Sequence, residues 1–148
     1  MNIIETDAKT ILTVDDDPSI CDFINVLLSK EGFQVVSTSN SKEALGLLKT
    51  RSYLQFDMVI LDLQMPNWGG YSIIKEVQQE GYQKTPILVL SGKNMDPGTV
   101  EIICGEPNVR GLCKKPIAIK ELKKVVHSLM GTTPPERLED PEMETAFA

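Results

Sequence analysis

Five short, largely apolar runs constrain this chain more than any other feature. They are Ile11–Val14, Phe33–Val36, Met58–Leu61, Pro86–Leu90 and Val109–Cys113. Runs of this length, bounded by turn formers, read as strands buried on both faces and not as helices. Between and after them, apolar residues recur at helical spacing: Ile20, Phe23, Ile24, Leu27 and Leu28; then Ala44, Leu45 and Leu48; then Ile73, Ile74 and Val77. The pattern continues with Val100, Ile103 and Cys104, and ends with Ile119, Leu122, Val125, Val126 and Leu129. Five β–α units in succession imply an α/β fold, a parallel sheet with helices on both faces.

Local signals set the boundaries. Asp17-Pro18 places a side-chain cap and a first-turn proline at the start of the first helix, and Gly32 ends it. Asn40 with Glu43 suggests a capping box for the second. Pro66 and the Gly69-Gly70 pair are expected to take the chain out of regular structure, so that the third helix runs from about Tyr71 to Glu80. A short fourth helix is expected over residues 98–104. From residue 132 the pattern stops. Three prolines and the acids Glu136, Glu139, Asp140, Glu142 and Glu144 against Arg137 read as a disordered tail or linker over 132–148, beyond a domain at 8–131.

Chemistry collects where the runs end. The first closes on Asp15-Asp16-Asp17, the third on Asp62, the fourth on Ser91-Gly92 and the fifth on Lys115-Pro116. In parallel α/β sheets, ligands bind outside the carboxyl ends of the strands. Carboxylates of Asp15, Asp16 and Asp62 about 5 Å apart repel by roughly 3 kcal/mol per pair at an effective dielectric of ~20. Lys115 by itself does not offset three such repulsions, so the group must hold protons or bind a cation. With oxygen donors and no His or Cys pattern nearby, the cation is Mg²⁺, with Mn²⁺ as a substitute, and not zinc.

Taken together, the acidic pair, the acid before Met65-Pro66, the hydroxyl-plus-small pair and the Lys-Pro, in that order, resemble the receiver domain of two-component response regulators. The resemblance covers roughly the first 130 residues and is closest in kind to chemotaxis regulators. It implies a flavodoxin-like, doubly wound sheet in the order 2-1-3-4-5. It also implies a phosphorelay role in signal transduction: a phosphohistidine on a histidine kinase or histidine phosphotransfer protein donates its phosphoryl group to Asp62, and binding to a downstream protein changes. By the same resemblance Asp16 binds the metal directly, Asp15 directly or through water, and the Gln64 carbonyl adds a ligand. Ser91, the Gly92 N–H and Lys115 hold phosphoryl oxygens, and a cis peptide precedes Pro116. Such a protein is a regulator and not an enzyme in the ordinary sense, catalysing only its own phosphorylation and dephosphorylation.

The chain departs from the family pattern in three places. Leu112 stands where an aromatic switch residue is common, Gly69 where an acid is common, and the stretch 105–108 is longer than usual. These changes bear on the readout and not on phosphoacceptance. Alternatives on the same fold are a receiver-like interaction module that is never phosphorylated and a haloacid-dehalogenase-like phosphatase. The phosphatase needs a second acid where Gln64 stands. Flavin binding would need a phosphate-cradling loop after the first strand.

Other residues have plainer readings. Asp17 is a cap and Asp57 a strand start. Trp68 falls in the loop flanking the site, and His127, the single histidine, reads as a solvated side chain. Lys120, Lys123 and Lys124 read as a solvated helix face, with the acidic tail folding back on it as the sharper expectation. A net charge of −6 offers no basic footprint for direct nucleic-acid binding. No secretory signal and no membrane-spanning run is expected, and three cysteines without C-x-x-C spacing suit a reducing cytoplasm.

Overall fold

The computed structural model describes residues 8–50, 56–66, 69–79, 82, 84–135 and 146–147. In chain order the elements are β1 (Thr10–Val14), α1 (Pro18–Lys30), β2 (Gln34–Thr38), α2 (Ser41–Lys49), β3 (Met58–Asp62), α3 (Gly69–Gln79), β4 (Ile87–Ser91), α4 (Pro97–Cys104), β5 (Val109–Lys114), β6 (Ile117–Ala118), α5 (Ile119–Met130) and β7 (Ala146–Phe147). β1 to β5 form one parallel sheet in the order β2-β1-β3-β4-β5. The expected architecture is the one found.

Alternation along the strands splits the core into two layers. Ile11, Met58, Ile60, Leu88 and Leu90 face Ile24 and Leu28 of α1 and Leu122 and Val126 of α5. Leu12, Val59, Leu61, Ile87 and Val89 face Ala44 and Leu48 of α2, Ile73 and Val77 of α3, and Ile103 of α4. β1, β3 and β4 are buried along their whole length, which is why they read as largely apolar runs, Thr13 being the one polar residue inside them.

The side-chain caps form, but the expected capping box does not close, since the Asn40 N–H donates to Thr38 Oγ1 at 3.1 Å and not to Glu43. The Asp17 carboxylate accepts from the Ser19 N–H at 2.9 Å, and Asn40 Oδ1 accepts from the N–H groups of Lys42 and Glu43 at 2.8 and 3.2 Å. Asp96 caps α4 through the Thr99 N–H at 3.0 Å. Gly32 turns the chain out of α1 at φ +97°, a conformation open to glycine without strain.

Two local expectations are corrected. Gly69 and Gly70 do not break the chain; they are the first two residues of α3 and both are buried. The reason is close approach. A Cβ on Gly69 would sit 2.9 Å from Ser41 Cβ, and one on Gly70 would sit 3.2 Å from the Asp62 carbonyl oxygen. His127 is not solvated either. It is 5% exposed, with its Nε2 3.0 Å from Glu31 Oε1 and its Nδ1 2.8 Å from Thr132 Oγ1. Both contacts are met by a neutral ring that donates from Nε2 and accepts the threonine hydroxyl at Nδ1. Burial first, then the nearby Lys123, holds its pKa below the ordinary value.

Beyond α5, Gly131 caps the helix in the left-handed region at φ +65°. Ala146–Phe147 then pairs antiparallel with Ile117–Ala118, Phe147 opposite Ile117. Trp68 and the tail acids lie outside the described residues. Among the described residues no helix is long and apolar enough to cross a membrane.

Candidate functional site

The carboxyl edge of the sheet gathers the acids because three neighbouring strands stop at the same level. Val14 pairs with Leu61 and Asp62 with Leu90, so the residue after β1, the last of β3 and the last of β4 meet at one edge. One side-chain oxygen from each of Asp15, Asp16 and Asp62 lies within 4.8 Å of the other two. Asp15 is fully buried and Asp62 is 1% exposed, whereas Asp16 faces solvent.

Lys115 closes the cluster from the β5 side. The Lys115 N–H donates to the Ser91 carbonyl at 2.8 Å, which holds the segment after β5 against the end of β4. The Lys115–Pro116 peptide is cis. Lys115 Nζ lies 3.0 Å from Asp15 Oδ2 and 3.5 Å from Asp62 Oδ2. Burial works against its charge, but attraction to Asp15 and Asp62 outweighs that and leaves its pKa above the ordinary value. Ser91 is buried at the end of β4, followed by the half-buried Gly92.

Short-range hydrogen bonds fix the acids. Asp15 Oδ1 accepts from the Asp17 N–H at 2.9 Å and Asp62 Oδ1 from the Gln64 N–H at 2.9 Å. Asp15 Oδ2 is buried and accepts no hydrogen bond, so Lys115 meets it as a charge and not as a well-aimed donor. Burial, chiefly, and then the Asp15 charge push Asp62 up to about 6, against the lowering effect of the Gln64 N–H and Lys115. A buried acceptor oxygen without a donor, among three crowded carboxylates and one cation, is a donor set suited to a hard divalent ion.

All seven residues singled out for this edge come together there: Asp15, Asp16, Asp62, Gln64, Ser91, Gly92 and Lys115. One feature was invisible in the sequence. The Gln64 side chain reaches across to the residue after β4, where its Oε1 fills the space that a Cβ on Gly92 would take. Gln64 was singled out for its main-chain carbonyl, and no spacing rule predicts where a long exposed amide will lie. Gly92 thus leaves room for a neighbouring side chain as well as offering an N–H.

Leu112 is half-buried against the α2–α3–α4 layer. It reaches that face because β5 carries a bulge. Ile87 pairs with Val109 but Leu88 pairs with Gly111, so Arg110 is the extra residue.

Comparison with known proteins agrees with this geometry. Curated relatives include the response regulator SaeR of Staphylococcus aureus (strain USA300), 29% identical over 120 residues, which are 81% of this chain and 50% of that protein. The chain therefore spans about half the length of the curated relatives it matches. Among solved structures, the receiver domain of the Francisella response regulator 1452 superposes with a TM-score of 0.69 at 27% identity, covering 83% of this chain and 97% of that one. The Vibrio cholerae chemotaxis protein CheY4 superposes with a TM-score of 0.72 at 27% identity, covering 82% and 98%. The family model described as the response regulator receiver domain matches residues 11–127, a span that takes in the whole five-stranded sheet but its first residue. The chain belongs to the family of response regulator receiver domains.

Proposed function

We propose that this chain is a phosphoacceptor in a two-component system, taking a phosphoryl group on Asp62 from a phosphohistidine in a Mg²⁺-dependent reaction. The observation that carries this reading is the trio of carboxylates within 4.8 Å, with Lys115 Nζ at 3.0 and 3.5 Å from two of them. Asp15, Asp16 and Asp62, with the Gln64 main-chain carbonyl, are the residues that would hold Mg²⁺ or, as a substitute, Mn²⁺. When bound, the ion supplies neutralisation of the carboxylates and of the transferring phosphoryl oxygens.

The chain's own groups do the rest. An Asp62 carboxylate oxygen attacks phosphorus in line; the P–O bond forms as the P–N bond breaks, and the electron pair stays on the donor's imidazole nitrogen. Lys115, the Ser91 hydroxyl and the Gly92 N–H stabilise the three phosphoryl oxygens, which carry charge throughout. Loss of the group is the corresponding hydrolysis. Water attacks phosphorus, inorganic phosphate leaves, and Asp62 is restored as a carboxylate. The donor is a histidine kinase or a histidine phosphotransfer protein in the cytoplasm, and the phosphorylated form binds a downstream protein differently.

Incubating the protein with Mg²⁺ and a small phosphodonor, followed by intact-mass measurement, tests this. One base-labile phosphoryl group is expected, and none in Asp62→Asn. Phosphate retained in that variant, at Ser91 for instance, would refute the assignment. A receiver-like module that works without phosphorylation would gain no mass in either protein.

A further inference from the structure

We propose that Ile117–Ala118 is a strand-addition site, that its occupant is this chain's own terminal segment Ala146–Phe147, and that the pairing makes the tail a competitor of the protein phosphodonor. The observation is the antiparallel ladder itself, Ile117 opposite Phe147 and Ala118 opposite Ala146, formed apart from the five-stranded sheet. Its place gives it meaning. β6 begins two residues after Lys115, whose Nζ touches Asp15 and Asp62, so an occupant of β6 borders the entrance to the acids.

The tail can make this contact within one molecule. α5 runs about 18 Å from Ile119 to Met130 at ~1.5 Å per residue. The segment 132–145 spans up to about 45 Å when extended, so the return to β6 is well within reach. Tethering also gives the segment an effective concentration in the mM range, far above that of a second copy in solution. Main-chain hydrogen bonds of this kind make few demands on sequence, and β-branched or aromatic residues suit them. Phe147 opposite Ile117 meets that preference.

The competition rests on the phosphoacceptor reading. A donor protein must bring an imidazole to Asp62 across the carboxyl edge, and the segment from Lys115 to Ala118 borders that approach because Lys115 Nζ lies 3.5 Å from Asp62 Oδ2. A small phosphodonor needs no such footprint. A pairing worth one net main-chain hydrogen bond favours the paired form by about five to one. Roughly one molecule in six is then open, and removing the pairing raises the apparent rate of transfer from a donor protein about six-fold.

Hydrogen exchange and phosphotransfer on the full chain test both halves. Phe147→Pro fixes the φ of the added strand and takes an N–H from it, while Phe147→Val leaves the strand's backbone as it is. We expect amide exchange to speed up about six-fold in Phe147→Pro at whichever of the Ile117 and Ala118 N–H groups faces the added strand, and to stay unchanged in Phe147→Val. Transfer from a phosphorylated histidine phosphotransfer protein should rise about six-fold in the proline variant, with the rate from a small phosphodonor unchanged. Equal exchange in all three proteins overturns the site. Protection that grows with protein concentration, together with a dimeric mass, assigns the strand to a second copy and overturns the intramolecular occupant. Faster exchange with unaltered protein-donor transfer overturns the competition. Failure of every variant to accept phosphate even from the small donor overturns the phosphoacceptor reading instead, and exchange at 117 and 118 still decides the pairing.

Discussion

Replacing Asp62 by asparagine should make the metal-free protein more stable, because at neutral pH the side chain is held as a carboxylate that its buried site disfavours. Asp62 is 1% exposed, and its pKa stands at about 6 against an ordinary 3.8. Below about pH 4 the side chain is protonated in folded and unfolded chains alike, and there is no penalty. Between pH 4 and 6 the unfolded chain gives up its proton first, the folded state binds more protons, and stability falls as pH rises. Above pH 6 the full difference stands: about two pKa units at ~1.4 kcal/mol each, roughly 3 kcal/mol. Asparagine resembles the protonated acid in size and neutrality, and its oxygen can still accept from the Gln64 N–H at 2.9 Å. The pKa shift already includes the lost attraction to Lys115, so no separate deduction for the 3.5 Å contact is needed.

With some relaxation of the site, a gain of about 2–3 kcal/mol at pH 7.5 is expected, or about 6–10 °C in midpoint for a chain of this size. Urea unfolding of both proteins in the presence of a chelator, repeated from pH 4.5 to 8, measures it. The difference should shrink toward zero as pH falls through 6 to 4.5. A difference that does not vary with pH, or an asparagine variant less stable at pH 7.5, would refute the electrostatic account of the site.

Asp16→Ala should weaken Mg²⁺ binding by calorimetry and slow phosphorylation together, since a carboxylate within 4.8 Å of Asp15 and Asp62 is lost; an unchanged Mg²⁺ affinity would remove Asp16 from the donor set. Gly69→Ala should destabilise by about 1–3 kcal/mol in denaturant unfolding, because the new Cβ meets Ser41 Cβ at 2.9 Å. His127→Ala should lower stability by about 1–3 kcal/mol, removing the 3.0 Å partner of the buried Glu31 carboxylate. Its phosphorylation by a small donor should be unaffected, as the pair sits at the carboxyl-terminal ends of α1 and α5, away from the acids.

The sequence was most legible where one physical demand acts on each residue. A strand buried on both faces is apolar along most of its length, so β1, β3 and β4 announce themselves even with Thr13 inside β1, and the polar residues that end them announce the edge. Capping is equally local: Asp17 and Asn40 bond to N–H groups two or three residues away. What was illegible depends on contacts distant in sequence. His127 looked solvated because it follows the inward Val126, yet Glu31 lies 96 positions away and Thr132 in the turn beyond the helix. Gly69 and Gly70 looked like breakers because glycine is usually a turn signal. Here the same missing Cβ lets α3 start against Ser41 and the end of β3.

β5 shows how one such distant effect bears on function. Along a regular strand, residues two apart share a face, so Val109 and Gly111 would both face α4, and Leu112 would turn toward α5. The extra residue at Arg110 reverses that parity: Val109 and Leu112 lie on the α4 side, while Cys113 packs in the α1–α5 layer. Gly111 then points at Leu88, Val125 and Leu129, where a Cβ would come within 2.9 Å of Leu88 Cδ1. The bulge and the glycine are therefore one device, since the reversed parity leaves no space under α5 for a side chain at 111. Its product is a leucine on the α4 side of the sheet, three residues before the lysine that touches Asp15 and Asp62. A leucine has no ring to swing and no hydroxyl to re-pair. If phosphorylation at Asp62 shifts α4, the expected route is the end of β4 and the loop from Gly92 to Asp96. Leu112→Ala should then lower stability and leave phosphorylation-dependent partner binding in place; loss of that dependence in a folded variant would refute the route.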